Sequence, residues 1–265
     1  MAFTGLQGIP KATQVHSIRL AEQPGAQAQE PQECTETSGT WEDKRISVYL
    51  QGEWGDLEYH IYLPPCYTNG EERYPILLLL HGFYASGTSW EELGLVEALD
   101  RLISRRQISP MIVAAPTLPD LINPQLEANQ RALQNGLYQH LLKAYRVKGE
   151  SDAHAIGGYS MGASWAIYLA TSYPQAWGRL GLHSPDLRIE EINRLSSLIS
   201  AIDPAPAVYL DSGMTDAAFP AAQTLHQVLE GSKVEHDWHP GDGGHTEEYW
   251  QGKLPDYLLW YAKDW

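Results

Sequence analysis

Gly158-Tyr159-Ser160-Met161-Gly162 sets a serine among small residues, the spacing needed where a strand turns sharply into a helix and holds a hydroxyl clear of the chain. The glycines matter because such a turn brings backbone against backbone, where a Cβ would collide. The chemistry this allows is nucleophilic attack on an acyl carbon. A serine hydroxyl is a weak nucleophile, so it needs a base, and the base needs a group that fixes its tautomer. After a strand–serine–helix turn of this kind, the acid and then the histidine are expected to follow along the chain. Asp216, in Gly213-Met214-Thr215-Asp216, and His245, in Gly243-Gly244-His245, meet that order. The oxyanion of the tetrahedral intermediate requires two backbone N–H donors. Their expected sources are Met161, directly after the serine, and Phe83, after the apolar run that ends at His81-Gly82.

Each assignment has competitors. Among 10 histidines, His183, His226, His236 and His239 also follow Ser160. His226 falls in a helical pattern and His236 in a strand, which suits structural roles. The Gly-Gly pair before His245 suits a tight turn, with a helix starting just beyond. Asp211 rivals Asp216 as the acid, but at the end of an apolar strand it could instead bond loop backbone. Tyr84, Trp90, Trp165, Tyr249 and Trp250 lie near these loops, and of them Trp90, Trp250 and Tyr84 are the substrate-binding candidates. With 9 tryptophans in the chain, most are expected to serve as core or rim packing.

These residues have to be positioned by a sheet. Alternating or continuous apolar segments at 46–50 and 57–63, separated by Gly52-Glu53-Trp54-Gly55, read as an antiparallel hairpin that Pro64-Pro65 ends. Short, nearly continuous apolar runs follow at 75–80, 111–115, 154–158, 180–182, 207–210 and 234–238, as expected of strands buried on both faces of a parallel sheet. Segments with helical spacing lie between and after them, at 91–104, 127–145, 161–173, 189–202, 217–229 and 247–261. The alternation predicts an α/β fold, a mostly parallel central sheet with an N-terminal antiparallel hairpin and helices on both faces. Residues 1–40, rich in Gln, Glu, Ala, Pro and Thr, bury too little to offset their ordering and read as a flexible tail before a single catalytic domain over 41–265.

The formal charge of -15, from 33 acidic against 18 basic residues, repels phosphate backbones and anionic lipid, so neither nucleic acid nor a membrane surface is an expected partner. No apolar run approaches the roughly 20 residues that span a bilayer, and the N-terminus lacks the pattern of a signal peptide. Cys34 and Cys66 have no histidine or cysteine neighbours at zinc-site spacing.

Several segments together resemble the putative-esterase family, which groups esterase D, feruloyl-esterase and enterochelin-esterase-like proteins and is related to the mycolyltransferases. They are Tyr62-Leu63-Pro64-Pro65-Cys66-Tyr67, residues 74–82, Trp90, residues 157–162, His183-Ser184-Pro185 and residues 243–250. The resemblance covers roughly residues 45–265. It implies an α/β-hydrolase fold and ester hydrolysis through an acyl-enzyme without cofactor or metal, on acyl esters of a sugar, a phenolic acid or a small alcohol. There are departures. Ala163 stands where many members have a further glycine, and Cys66 replaces the usual small residue. The N-terminal sandwich domain of enterochelin esterases is missing, which counts against siderophore hydrolysis, and so is the cysteine-containing oxyanion segment of S-formylglutathione hydrolases. An acyltransferase or a serine peptidase would use the same residues, and a non-catalytic binding protein on a hydrolase scaffold would be expected to have lost one of them.

Cys34 and Cys66 are the only cysteines. Cys66 lies where the returning hairpin would bring the chain beside its start, so a disulfide to Cys34 is expected. Such a bond persists in an oxidising compartment and implies a secreted or extracytoplasmic enzyme from which a signal or anchor has been removed. The alternative is two unpaired thiols in the cytoplasm, which the absent signal pattern favours.

Overall fold

The computed structural model describes residues 35–50, 52–118 and 127–265. The hairpin is longer than its apolar core suggested. Strands β1 (Thr40–Leu50) and β2 (Glu53–Leu63) pair antiparallel along their whole length, from Thr40 opposite Leu63 to Leu50 opposite Glu53. Six further strands follow: β3 (Ile76–Leu80), β4 (Ile112–Pro116), β5 (His154–Tyr159), β6 (Arg179–His183), β7 (Ala207–Gly213) and β8 (His236–Gly241). The sheet order is β1-β2-β4-β3-β5-β6-β7-β8, with β4 antiparallel to β2 and every pair from β4 to β8 parallel.

The helices are α1 (Ser89–Glu92), α2 (Leu95–Ser104), α3 (Glu127–Arg131), α4 (Gln139–Ala144), α5 (Met161–Ser172), α6 (Ile189–Ser200), α7 (Phe219–Gly231) and α8 (Glu247–Tyr261). Two departures from the sequence pattern have local causes. The helix expected over 91–104 divides because Gly94 adopts φ 86, the left-handed conformation that ends a helix at little steric cost to glycine. The helix expected over 127–145 is wound as a π-helix over Ala132–Tyr138. There Gly136 lies against β1, where a Cβ would fall 2.7 Å from the Val48 side chain.

Strand alternation sends β3 side chains into two cores. Ile76, Leu78 and Leu80 pack with residues of α5, α6, α7 and the π-helical segment, while Leu77 and Leu79 pack with α2 and α8. Burial on both faces explains why the central strands read as unbroken apolar runs. No helix among the described residues is long and apolar enough to cross a membrane.

After β3 the chain adds β4 on one side of it and β5 on the other. Loops leaving the carboxyl ends of β3 and β5 therefore diverge to opposite faces, and the crevice between them is where ligands of open α/β sheets bind. Residues 81–83 leave the end of β3, and Ser160 leaves the end of β5.

Candidate active site

The turn from β5 into α5 is as tight as its glycines imply. A Cβ on Gly158 would sit 2.5 Å from the Leu80 carbonyl oxygen and 2.6 Å from the Gly162 carbonyl carbon, and one on Gly162 would sit 2.1 Å from Leu80 O. Ser160, between them, has φ 56 and ψ -122, a region that costs a non-glycine residue on the order of 1–3 kcal/mol unless its surroundings hold it there. They do so through the backbone. Ser160 N–H donates to the His183 carbonyl at 2.9 Å, and the Ser160 carbonyl accepts from Ala163, Ser164 and Asp186 N–H at 3.1–3.3 Å.

His245 follows β8 in a loop with Gly243 at φ 138. Its Nδ1 lies 2.9 Å from both carboxylate oxygens of Asp216, and its Nε2 lies 2.9 Å from Ser160 Oγ. Because a carboxylate only accepts, Nδ1 carries the proton and Nε2 presents a lone pair to the serine hydroxyl. Asp216 has a fully buried side chain, whereas His245 is 36 % exposed. Asp216 is itself held by Ala218 N–H, which donates to Oδ1 at 2.6 Å, and by its own N–H on the Gly213 carbonyl at 3.0 Å. The two loops are laced together: Met214 N–H donates to Gly241 O at 2.7 Å, and both Thr215 N–H and its hydroxyl donate to Gly243 O at 3.0 and 2.7 Å. Asp216 and His245 are thus positioned by one shared hydrogen-bonded unit.

The other candidates lie elsewhere. Asp211 and His183 bond each other in the core, at 2.8 Å. His226 Nδ1 lies 2.8 Å from His236 Nε2, and His239 stacks on Tyr209. None of these side chains bonds Ser160 Oγ, whose histidine partner is His245.

The loop after β3 lies against the serine turn, since a Cβ on Gly82 would fall 2.6 Å from the Tyr159 ring and 3.4 Å from Ser160 Cβ. His81, which is buried, sets its direction. Leu118 N–H donates to His81 Nε2 at 2.8 Å, which leaves Nδ1 protonated to donate to the Gly82 carbonyl at 2.7 Å. Ala85 N–H donates to the same carbonyl at 3.3 Å. With that carbonyl committed, the trans Gly82–Phe83 peptide carries Phe83 N–H on its opposite side. Met161 is the first residue of α5, so its N–H has no partner within the helix.

Of the substrate-binding candidates, Tyr84 is 94 % exposed at φ 61, its ring against that of Phe83 at 4.0 Å. Trp250 is buried, stacks on Tyr159 at 4.3 Å and makes a T-shaped contact with His245 at 4.9 Å. Trp90 is fully buried and backs Tyr159 at 5.2 Å, so it supports a ring at the site instead of meeting solvent. Sequence reasoning missed Tyr159 itself, which joins both tryptophans and donates its hydroxyl to Ser89 Oγ at 2.9 Å. It also missed His81. The signal for Tyr159 was its place inside the serine turn. Cys34 lies outside the described residues, as does the tail up to residue 34, while Cys66 is buried at the start of a turn with φ 59. No group of three His, Cys, Asp or Glu among the described residues is placed to hold a metal ion.

Burial holds the His81 pKa below the ordinary histidine value of 6.5, partly opposed by its bond to Gly82. The unfolded chain therefore takes up this proton first, so the stability it reflects is fully present above about pH 6.5 and is lost as the pH falls toward the folded-state value. His81→Gln is expected to show a smaller decline in Tm between about pH 7 and about pH 5 than the wild type. An equal decline in both proteins would mean that His81 is protonated in the fold without penalty.

Comparison with known proteins agrees with this architecture. The family model described as "Putative esterase" matches residues 55–261. An uncharacterized protein of Corynebacterium glutamicum is 20% identical over 278 residues, 87% of this chain, and the chain spans 65% of that relative's length. Among solved structures, a ferulic acid esterase superposes with a TM-score of 0.76 at 20% identity, over 85% of this chain and 98% of its own. A serine-to-alanine mutant of the feruloyl esterase module from Clostridium thermocellum, complexed with sinapinate, superposes with a TM-score of 0.76 at 16% identity, over 88% of this chain and 91% of its own. At such identities the structures establish a common fold. Matched by the family model over most of its length, this chain belongs to the putative-esterase family and has the α/β-hydrolase fold.

Proposed function

We propose that the chain hydrolyses carboxylic esters through an acyl-enzyme on Ser160, with His245 as base and Asp216 as its orienting acid. The observation that carries this reading is the unbroken series of 2.9 Å contacts from Ser160 Oγ through the His245 ring to the Asp216 carboxylate. In the first half-reaction Oγ attacks the acyl carbon while His245 Nε2 takes its proton. Negative charge gathers on the former carbonyl oxygen, where Phe83 and Met161 N–H would stabilise it. As the intermediate collapses, the alkoxide leaves with the proton from His245. Water then repeats the sequence on the acyl-enzyme, releasing the carboxylic acid and regenerating the serine. Asp216 keeps Nδ1 protonated throughout, so that Nε2 always faces Oγ.

The acyl group proposed is that of a phenolic or similar aromatic acid, bound near Tyr84 and Trp250 with Trp90 in support. The exposed rings of Phe83 and Tyr84 beside the proposed oxyanion donor offer apolar area to a planar acyl group. Solved relatives of this fold are described with sinapinate and with ferulic acid, which favours the same class here.

Ser160→Ala is expected to lower hydrolysis of p-nitrophenyl or methyl hydroxycinnamate esters by on the order of a thousandfold or more with Tm unchanged, and Asp216→Asn to cause a loss of similar order through the wrong tautomer of His245. Near-normal turnover by pure Ser160→Ala would refute the assignment.

A Cys34–Cys66 disulfide is also proposed. Glu36, two residues from Cys34, accepts a hydrogen bond from Cys66 N–H at 2.6 Å, and the pairing of Thr40 with Leu63 runs the preceding chain alongside Cys66. Such a bond would stabilise by about 3–4 kcal/mol in the chain-entropy model and would place the enzyme outside the cytoplasm. Thiol titration of the denatured, unreduced protein is expected to find no free thiol, and two would return the enzyme to the cytoplasm.

A further inference from the structure

A second histidine–carboxylate pair lies behind the first. Asp211, at the end of β7, and His183, at the end of β6, are both fully buried. His183 Nδ1 lies 2.8 Å from Asp211 Oδ1. On the other carboxylate oxygen, Oδ2, Asp211 accepts the hydroxyls of Tyr249 at 2.9 Å and Tyr257 at 2.7 Å, both from α8. His183 Nε2 lies 3.1 Å from the Tyr261 hydroxyl. Burial raises the pKa of all three tyrosines, so each remains a donor. A group of this kind is expensive to bury, and well-packed apolar side chains of similar volume are often no less stable. Its connections suggest what else it does.

Each branch leads to one member of the Ser160 series. The His183 carbonyl is the acceptor for Ser160 N–H at 2.9 Å, and the Asp211 carbonyl accepts Ser184 N–H, also at 2.9 Å. Beyond Asp211, β7 runs directly through Gly213, whose carbonyl holds Asp216 N–H. Tyr249 lies under the His245 loop, so close that a Cβ on Gly243 would fall 2.6 Å from its ring. The next residue, Trp250, packs T-shaped with His245 and donates its indole N–H to Ser184 Oγ at 3.3 Å. Tyr257 bonds the same Asp211 oxygen but lies about two helical turns beyond Tyr249 along α8, farther from the His245 loop.

We propose that Asp211 and His183 form a buried hub that sets the approach of His245 to Ser160, with Tyr249 and its neighbour Trp250 as the arm that reaches the histidine loop. These are positioning residues. The inference rests on the reading of Ser160 as an activated nucleophile, and it goes beyond that reading in assigning a function to a carboxylate that does not touch His245. A displacement of the order of 1 Å at the base can cost about a hundredfold in rate, so the hub would act on catalysis without meeting substrate.

Tyr249→Phe and Tyr257→Phe form a matched test, because each removes one hydroxyl from the same oxygen of Asp211. An alkyl fluorophosphonate reads the geometry without presuming the natural ester: Ser160 Oγ bonds to phosphorus, fluoride leaves, and the serine proton passes to His245. The full chain is compared as wild type and both variants for labelling rate, for kcat and KM on a p-nitrophenyl ester, and for Tm. Tyr249→Phe is expected to lower the labelling rate and kcat by about tenfold with KM within about twofold, while Tyr257→Phe loses at least as much Tm and stays within about twofold of wild type in rate. Wild-type labelling by Tyr249→Phe, or rates that track Tm in both variants, would overturn the proposal. Should Tyr249→Phe fail to fold, Ser184→Ala removes the acceptor of the Trp250 indole and is expected to slow labelling; an unchanged rate there counts against the arm. A wild type that is labelled but cleaves no ester sinks the hydrolysis reading alone and leaves the labelling rates to decide the hub. One that resists the reagent overturns both.

Discussion

At residues 158 and 162, backbone passes so close to the Leu80 carbonyl that no side chain fits between them, and most of the site's geometry follows from that approach. It brings the end of β5 against the end of β3, where the crossing of the chain to β4 on one side and β5 on the other leaves a crevice. It lets α5 start within reach of the serine, so that the helix's first N–H groups face the crevice. It also forces Ser160 into its positive-φ conformation, which persists because both its N–H and its carbonyl are bonded to neighbouring segments. Loosening the turn would free all three features together.

Around that turn, positioning is done by short polar links between loops. The Asp216 and His245 loops bond backbone to backbone through Gly241 and Gly243. The loop after β3 is aimed by His81, a neutral donor and acceptor gripped between Leu118 and Gly82. Beneath them, tyrosine hydroxyls from α8 converge on Asp211. Each of these groups would be costly to bury alone, and each is satisfied by a residue on a different element. The elements are thereby held in one arrangement relative to one another, which a purely apolar core of similar volume specifies less narrowly.

How much of this was legible beforehand depended on whether a feature is local along the chain. The parallel strands declared themselves because burial on both faces needs continuous apolar side chains, as at Ile76–Leu80 and Ile112–Pro116. The serine turn was readable because its steric demand falls on glycines two residues to either side; the order of serine, acid and histidine left Asp211 and Asp216 as candidate acids, and the Gly-Gly turn favoured His245. Helix α5 was readable from its spacing, whereas the division at Gly94 and the π-helical winding over Ala132–Tyr138 were not. Gly94 could serve equally inside a helix or after one, and Gly136 answers to Val48 on a distant strand.

The sequence by itself therefore determined the class of fold, the candidate nucleophile and the order in which its candidate partners arrive, since each follows from side-chain type and spacing over a few residues. Only the tertiary structure distinguishes the surroundings of Asp211 from those of Asp216. Both end a strand or begin a loop, and what separates them is which histidine each meets: His183, 28 residues before Asp211, or His245, 29 residues beyond Asp216. Tertiary structure likewise turned Trp90 into a support for Tyr159 and His81 into the guide of a loop. A hydrogen bond or ring contact between residues far apart along the chain leaves no period in the sequence, because it depends on how the sheet and its helices bring their ends together.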